Sequence, residues 1–460
     1  MKEERKGFAS KVGLVLATAG LAVGLGNIWR FPVEVGKNGG ASFIFVYLLC
    51  IIALGIPLMV AEFIVGRSTH ANGVTSYKRL ARSRLWGQVG KVGVFTGWVV
   101  MCYYSVVAGW TLDYFVEALL NRFNRLAQTG TGDVYATHFQ AFVSNPWQPL
   151  IYMVVLIAVS HFVIIRGVQK GIERFARLVM PLLFIILVVL AVLALFTPGA
   201  NEGLQFMFGL DLSKLSPTII FSAMGQAFFT LCIGGGCLCT FASYFNKDTN
   251  LATTAGKVIA LDAIVALLAG IIIFPIVFTV GIDPGEGASL VFIALPNVFQ
   301  QVFGHMPVVS YVVSLLFYFL LVLATLTTIV SIHEVPTVYM HEEFGLSRPK
   351  GAAVTSVVAI LFGTLCSLSM GLLGDVRVFG RTIFDFFDFA ACYILLPVSG
   401  LLIALFVGWI VKKNVITGEL TNYGLYPERR YGWIYTLLRY AVPLIMIWFF
   451  LTGLGVLKLF

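Results

Sequence analysis

Eleven stretches of this sequence are apolar and long enough to cross a bilayer, and that repetition constrains the fold more than any single motif. They run over 11–35 (α1), 41–67 (α2), 88–122 (α3), 149–166 (α4), 173–197 (α5), 216–242 (α6), 252–281 (α7), 306–342 (α8), 350–373 (α9), 381–412 (α10) and 432–457 (α11). In hydrocarbon every backbone N–H and C=O must be satisfied within the protein, and runs of this length do so as helices. Of the 460 residues, 59% are hydrophobic and 12% charged, with a mean hydropathy of +0.92. No water-soluble class has that composition. The chain therefore reads as an all-α polytopic membrane protein, a single transmembrane domain over 1–460. Its longer stretches tilt or project beyond the lipid.

A net charge of +9 could suit nucleic acid, but the basic residues cluster in short connections. Lys2, Arg5, Lys6 and Lys11 precede α1; Lys78, Arg79, Arg82 and Arg84 follow α2; Arg166, Lys170 and Arg174 lie between α4 and α5. Lys247, then Arg348 and Lys350, then Lys412, Lys413, Arg429 and Arg430 follow α6, α8 and α10. All these connections share one side, so the N-terminus is expected in the cytoplasm and, after eleven spans, the C-terminus outside. The partner is the lipid bilayer, not nucleic acid. The seven cysteines lie inside apolar stretches, with no disulfide or zinc spacing, and read as inert core residues. Of the outer connections, Arg122 to Gln148 is polar and expected to be a surface loop. Asp283 to Gly304, with its amphipathic LVFIALPNVFQQVF, is expected to cap the outer face as a helix.

The first stretch, KVGLVLATAGLAVGLGNIWRFPVEV, carries Gly20, Gly24 and Gly26 mid-span, then Asn27, Arg30 and Pro32. Each interior glycine costs a helix about 1 kcal/mol against alanine. One reading is a helix broken at membrane depth, where opened backbone lines a cavity; the other is a GxxxG packing face from Gly20 to Gly24. A second interruption stands in α6, FSAMGQAFFTLCIGGGCLCTFASY, with Gly234, Gly235 and Gly236 at its centre. Two interrupted spans five helices apart imply an inverted repeat, 11–197 against 216–412, with the site near the midplane. Residues 1–10 are left as an N-terminal gate segment and α11 as a peripheral helix.

Ionisable residues inside the membrane mark function by default. Glu62, in GIPLMVAEFIVGR, reads as the acceptor for amides freed where α6 is interrupted. Asp262, in VIALDAIVALLAGIIIFP, has no cation in its own helix. A buried anion without a partner takes up a proton or a metal ion, so cation binding is favoured over a structural hydrogen bond. Thr327 and Thr328, in YFLLVLATLTTIVSIHE, either bond their own i−4 carbonyls or join the Ala22 and Val23 carbonyls as oxygen ligands for a hard ion.

AGLAVGLGNIWRFP, NGG at 38–40, GIPLMVAEFIVGR, RGVQKGIERFARLVMP and GQAFFTLCIGGG extend, with the flanking sequence, from about Arg5 to the end of α10. Together they resemble the neurotransmitter:sodium symporter family, in its bacterial amino-acid branch of leucine, tyrosine and tryptophan transporters. The resemblance implies a leucine-transporter-like fold in a bacterial inner membrane. It implies a carrier, not an enzyme, that imports an amino acid with sodium by alternating access. One sodium site would use the Ala22 carbonyl, Asn27, Thr230 and Asp262; the second would use the carbonyls of Gly20, Val23 and Ala324 with the Thr327 and Thr328 hydroxyls. The substrate carboxylate would meet the Leu25 and Gly26 amides at a positive half-helix end and the Tyr104 hydroxyl. The ammonium would meet carbonyls of Ala22, Phe229 and Thr230. Val100, Tyr104, Phe229, Cys232, Gly235, Thr328 and Ile332 would line the side-chain pocket, with Phe229 and Tyr104 as its lid. Outside, Arg30 would close on Asp385 or Asp388; inside, Arg5 would pair with Glu342 near Tyr244. Gly171 and Pro181 would let the inner end of α5 unwind toward the second sodium site, or else mark a helix start and a tolerated proline.

Two departures from the family pattern carry consequences. Position 262 is often Asn in the family, where chloride or a nearby acid supplies the charge; here Asp262 supplies it, and Ala266 adds no acid or hydroxyl. Transport without chloride is expected, with Asp262 protonated on the empty return step, although Tyr47, Gln226 and Thr230 keep the elements of an anion site. Gly235 stands where the leucine-type pocket has Phe, which makes room for a large hydrophobic or aromatic amino acid; the alternative is that the glycine serves only the break. An ion or water channel is the rival, but two midplane breaks in inverted halves favour a carrier over a continuous pore. A membrane-embedded enzyme is the other, but the sequence shows no nucleophile–base pair, P-loop or HExxH. Monomer and homodimer are both compatible with this reading.

Overall fold

A computed structural model of the chain describes residues 7–129, 134–281 and 290–453. Among the described residues, nine helices are long and apolar enough to span a membrane. They are Ala41–Thr69 (α2), Gly87–Leu119 (α3), Gln148–Ile165 (α4), Val168–Ala194 (α5), Leu251–Val280 (α7), Pro307–Phe344 (α8), Arg348–Leu368 (α9), Ile383–Ile410 (α10) and Gly432–Gly453 (α11). A bent pair, Lys11–Ala22 (α1a) and Gly26–Lys37 (α1b), turning through 52°, makes the tenth. The eleventh is α6, divided into Pro217–Thr230 (α6a) and Cys237–Ala242 (α6b). Inner and outer follow the orientation that the basic connections imply.

Both interruptions have local causes. In α1 the chain leaves helical geometry at Val23, whose N–H still reaches the Ala19 carbonyl, and resumes at Gly26. A β-carbon on Gly24 would collide with the Thr328 hydroxyl, so this glycine is also a close-packing residue; the broken-helix and packing readings hold together. In α6, Gly234 (φ +87°) and Gly236 (φ +71°) adopt left-handed backbone, which glycine alone takes without strain. Gly235 does not. The opened amides find a carboxylate: Glu62 Oε1 accepts from Gly234 N at 2.8 Å and Oε2 from Cys239 N at 3.2 Å.

α8 is the central post. It packs along α3, and against α1a, α4, α5 and α9. The outer sides of α4, α5, α9 and α11 bear exposed apolar residues such as Ile151, Phe162, Leu178, Ile185, Leu361 and Leu444, the surface a bilayer covers.

The segment expected as an outer surface loop is instead two helices, Arg122–Thr129 and Val134–Ser144. The second buries Tyr135, Phe142 and Val143, a helical spacing that the polarity of the whole segment 122–148 masks. The expected outer cap is helical over Leu290–Ala294 and Leu295–Phe303, while residues 283–289 lie outside the described residues, as do 1–6 and the end of α11. Among the short helices, Lys413–Leu420 is held to α2 by a buried ion pair, Arg67 Nε to Glu419 Oε2 at 2.5 Å. Arg67 also donates to the Glu419 and Thr249 carbonyls.

Candidate functional site

The two interruptions face one another across a narrow pocket. Leu21, Ala22, Gly24 and Gly26 line it from α1, Val100 and Tyr104 from α3, Phe229, Thr230 and Cys232 from α6, Thr328 and Ile332 from α8, and Leu396 from α10. Its walls are mostly apolar, with a few polar groups at one end, the usual make-up of a small-molecule site. The Leu25 amide donates to the Tyr104 hydroxyl at 3.2 Å, which brings the two proposed carboxylate contacts together. Gly235 is not in the lining; a β-carbon there would lie 3.7 Å from Leu396 Cδ2 and 3.8 Å from Cys232 Sγ, both on the wall. Sequence reasoning missed Leu21, Gly24 and Leu396. Only the glycine crowding in α1 pointed to any of them.

Beside the cavity, Asn27 Nδ2 donates to Asp262 Oδ1 at 2.7 Å and to the Asp262 carbonyl at 3.0 Å. The Tyr47 hydroxyl donates to Asp262 Oδ2 at 2.9 Å and also meets Thr230. Asp262 is fully buried, and no lysine or arginine pairs with it among the described residues. Such a carboxylate requires a cation or a proton. Across the α1 break, the Thr327 hydroxyl reaches the Val23 carbonyl at 3.3 Å and the Ala324 carbonyl at 2.8 Å, and Thr328 reaches Ala324 at 3.3 Å. Gly20 faces Thr327, a β-carbon there falling 3.4 Å from Thr327 Cβ. Four oxygens thus stand together, the Val23 and Ala324 carbonyls and the two threonine hydroxyls, of the kind that suits a hard monovalent ion.

Outside the cavity, the Arg30 guanidinium lies over the Phe229 ring at 4.4 Å and donates to Cys392 Sγ at 3.4 Å. Cys392 in turn donates to Asp388 Oδ1 at 3.4 Å. A thiol therefore stands between the arginine and its acid. Asp385 is occupied elsewhere: it and Thr382 form a reciprocal cap at the start of α10. Of the two acids, Asp388 is the one near Arg30.

On the inner side, Arg5 lies outside the described residues. Glu342 accepts from Asn72 N at 2.8 Å and Nδ2 at 3.0 Å. Tyr244 donates to Glu334 at 2.7 Å, and Glu334 is also gripped by Arg348 at 2.5 Å. Neither Glu334 nor Arg348 was singled out from sequence. The Gly171 region is wound more loosely than an α-helix over Val168–Glu173, and Pro181 lies inside the regular helix Arg174–Ala194. Glu173 collects three donors from the root of α1: Ala9 N at 2.7 Å, Ser10 N at 3.1 Å and Ser10 Oγ at 2.8 Å. At the inner rim Lys11 meets Asp248 at 2.8 Å, and that hydrogen bond holds the exposed Asp248 carboxyl below its ordinary range.

The sequence model of the Sodium:neurotransmitter symporter family matches residues 5–137 and 133–458. An uncharacterized sodium-dependent transporter of Bacillus subtilis, YhdH, is 38% identical over 454 residues, 98% of each chain. One from Haemophilus influenzae is 32% identical over 462 residues, covering 98% of this chain and 99% of that one. The rat sodium- and chloride-dependent GABA transporter 2 is 24% identical over 480 residues, 94% of this chain and 78% of its own. Among solved structures, MhsT in complex with L-phenylalanine superposes with a TM-score of 0.88 at 38% identity, over 98% of this chain and 100% of that one.

Proposed function

The chain belongs to the sodium:neurotransmitter symporter family, and from that premise we propose that it imports a large hydrophobic or aromatic L-amino acid together with sodium. It is a sodium-dependent transporter and not an enzyme, with the leucine-transporter-like inverted repeat of α1–α5 and α6–α10. The observation that carries the substrate reading is the cavity itself. The Leu25 amide and Tyr104 hydroxyl meet at the start of a half-helix, and Val100, Ile332, Phe229 and Leu396 supply apolar wall. A zwitterion with an apolar side chain fits that polarity, its carboxylate drawn to the positive helix end. A side chain at Gly235 would press on the Cys232 carbonyl and on the Leu396 and Cys232 side chains that line the pocket, and its backbone does not require glycine. A relative at 38% identity holds L-phenylalanine, a substrate of that size.

Sodium is cargo at two positions: one formed by the Ala22 carbonyl, Asn27, Thr230 and Asp262, the other by Gly20, Val23, Ala324, Thr327 and Thr328. At the first, Asp262 supplies the negative charge and transport proceeds without chloride. On the empty return step Asp262 holds a proton, which removes the cost of a bare buried anion. With the N-terminus inside a bacterial inner membrane, sodium and substrate bind from outside between the interrupted helices. Arg30, Phe229 and Asp388 close above them, and the inner contacts then part. Each sodium ion moving down a 100 mV potential contributes about 2.3 kcal/mol to concentrating the substrate.

Proteoliposomes loaded with potassium and diluted into sodium test this reading. Labelled phenylalanine, tyrosine, tryptophan and leucine should accumulate in sodium alone, to equal extents in chloride and in gluconate. Loss of uptake in gluconate would overturn the role of Asp262, and indifference to sodium would overturn the whole assignment.

A further inference from the structure

Among the described residues, eight buried side-chain polar atoms have no hydrogen-bond partner, and three belong to one outer cluster: Asp113 Oδ2, Glu117 Oε2 and His138 Nε2. Asp113 and Glu117 stand one turn apart on α3, both buried. Each uses its other oxygen, Asp113 accepting from Gln148 at 2.9 Å and Glu117 pairing with Arg122 at 2.6 Å. His138 reaches in from the helix Val134–Ser144 and stops 3.9 Å from Glu117 Oε2. A neutral imidazole offers Glu117 Oε2 at most an uncharged donor, and only in its Nε2–H tautomer; a protonated one always presents Nε2–H and adds the charge attraction that draws the 3.9 Å gap closed.

His138 does not stand alone on its helix. The next residue, Phe139, stacks on Phe292 at 5.6 Å and meets Trp110 edge-on at 5.5 Å. Phe292 faces Trp29 of α1b at 6.2 Å, and Trp110 stacks on Phe384 of α10 at 5.7 Å. Phe384 covers Tyr103, whose hydroxyl meets Cys392 in the Arg30 layer. The helix is thus the outermost member of an aromatic column standing over the substrate cavity.

We propose that Glu117 and His138 form a proton-operated latch, in which protonation of His138 fastens the helix Val134–Ser144, and Phe139 with it, onto the outer cover of the transport site. Imidazole is the side chain whose charge ordinarily changes between pH 5 and 8, and the His138 side chain is 26% exposed while its Nε2 faces inward, buried. The groups shown against it are Glu117 and Tyr114 on α3; Glu117 is in turn paired with Arg122 and lies in the field of Asp113 and of Tyr152 on α4, and Leu290–Ala294 contributes no titratable group. Acid closes the ion pair and holds the cover down; alkali releases it. In effect the outer face opens less readily as the external medium acidifies. The latch rests on the transporter reading only for its effect on uptake.

The test reads the cover directly. Full-length protein in proteoliposomes is treated with a membrane-impermeant methanethiosulfonate, and modification of Cys392 is timed by mass spectrometry between pH 5.5 and 8. Dividing the wild-type rate by that of His138→Gln removes the intrinsic titration of the thiol. The ratio should fall roughly two- to fivefold from pH 8 to pH 5.5, the range expected of a partly exposed ion pair. Glu117→Gln should label with the pH profile of His138→Gln, and it replaces that variant if His138→Gln does not fold. A ratio that stays constant across pH overturns the latch. Absent uptake with the ratio still falling would fault the transport reading and leave the latch standing.

Discussion

Replacing Asp262 by Asn keeps the shape of the first sodium position and removes its charge. The wild-type carboxylate accepts from two neighbours, Asn27 at 2.7 Å and Tyr47 at 2.9 Å. The amide has one oxygen, so it keeps one donor and turns its own NH₂ toward the other. A hydrogen bond to a charged group is worth about 1.5–3 kcal/mol net. Losing one such interaction, with the attraction for sodium that accompanies it, corresponds to about a 10- to 150-fold rise in the sodium concentration for half-maximal uptake, at roughly 1.4 kcal/mol per tenfold. Tyr47, Gln226 and Thr230 still surround the position, and Gln226 Oε1 has no partner among the described residues. Chloride should therefore stimulate the variant while leaving the wild type unaffected. The assay is initial uptake against sodium, in chloride and in gluconate. An unchanged sodium half-saturation, or a variant as indifferent to chloride as the wild type, would refute the claim that this carboxylate supplies the charge.

Tyr104→Phe removes the hydroxyl at the Leu25 amide and should weaken amino-acid binding about tenfold or more, measured by equilibrium binding of labelled substrate at saturating sodium. Gly235→Leu should fill the wall beside Leu396 and Cys232, excluding tryptophan and tyrosine while alanine still competes; a competition series reads the order. Arg67→Ala leaves Glu419 buried and unpaired, a loss of about 3–5 kcal/mol. Thermal unfolding in detergent should show it, and Arg67→Met combined with Glu419→Leu should recover most of the loss.

Sequence alone revealed what local pattern encodes. Crowded glycines marked both interruptions, and the isolation of Glu62 and Asp262 in apolar helices marked two carboxylates that the structure places at those interruptions. Contacts made across hundreds of residues leave no such trace. Cys392 sits in an apolar run like the other six cysteines, and nothing nearby in sequence announces Arg30, 362 positions away. Glu334 looks like one more polar residue of α8 until Tyr244 arrives from the turn after α6b and Arg348 from α9. The helix Val134–Ser144 is masked by its neighbours: the polar residues on either side of it argue for a loop, while its own apolar spacing carries the helical signal.

The three donors gathered by Glu173 bind the beginning of α1 to the loosely wound foot of α5. Two moving parts that share one carboxylate cannot act in sequence. If the foot of α5 unravels, the root of α1 is set free in the same event. In that event discharge to the interior would be a single concerted release, timed by one small knot of hydrogen bonds.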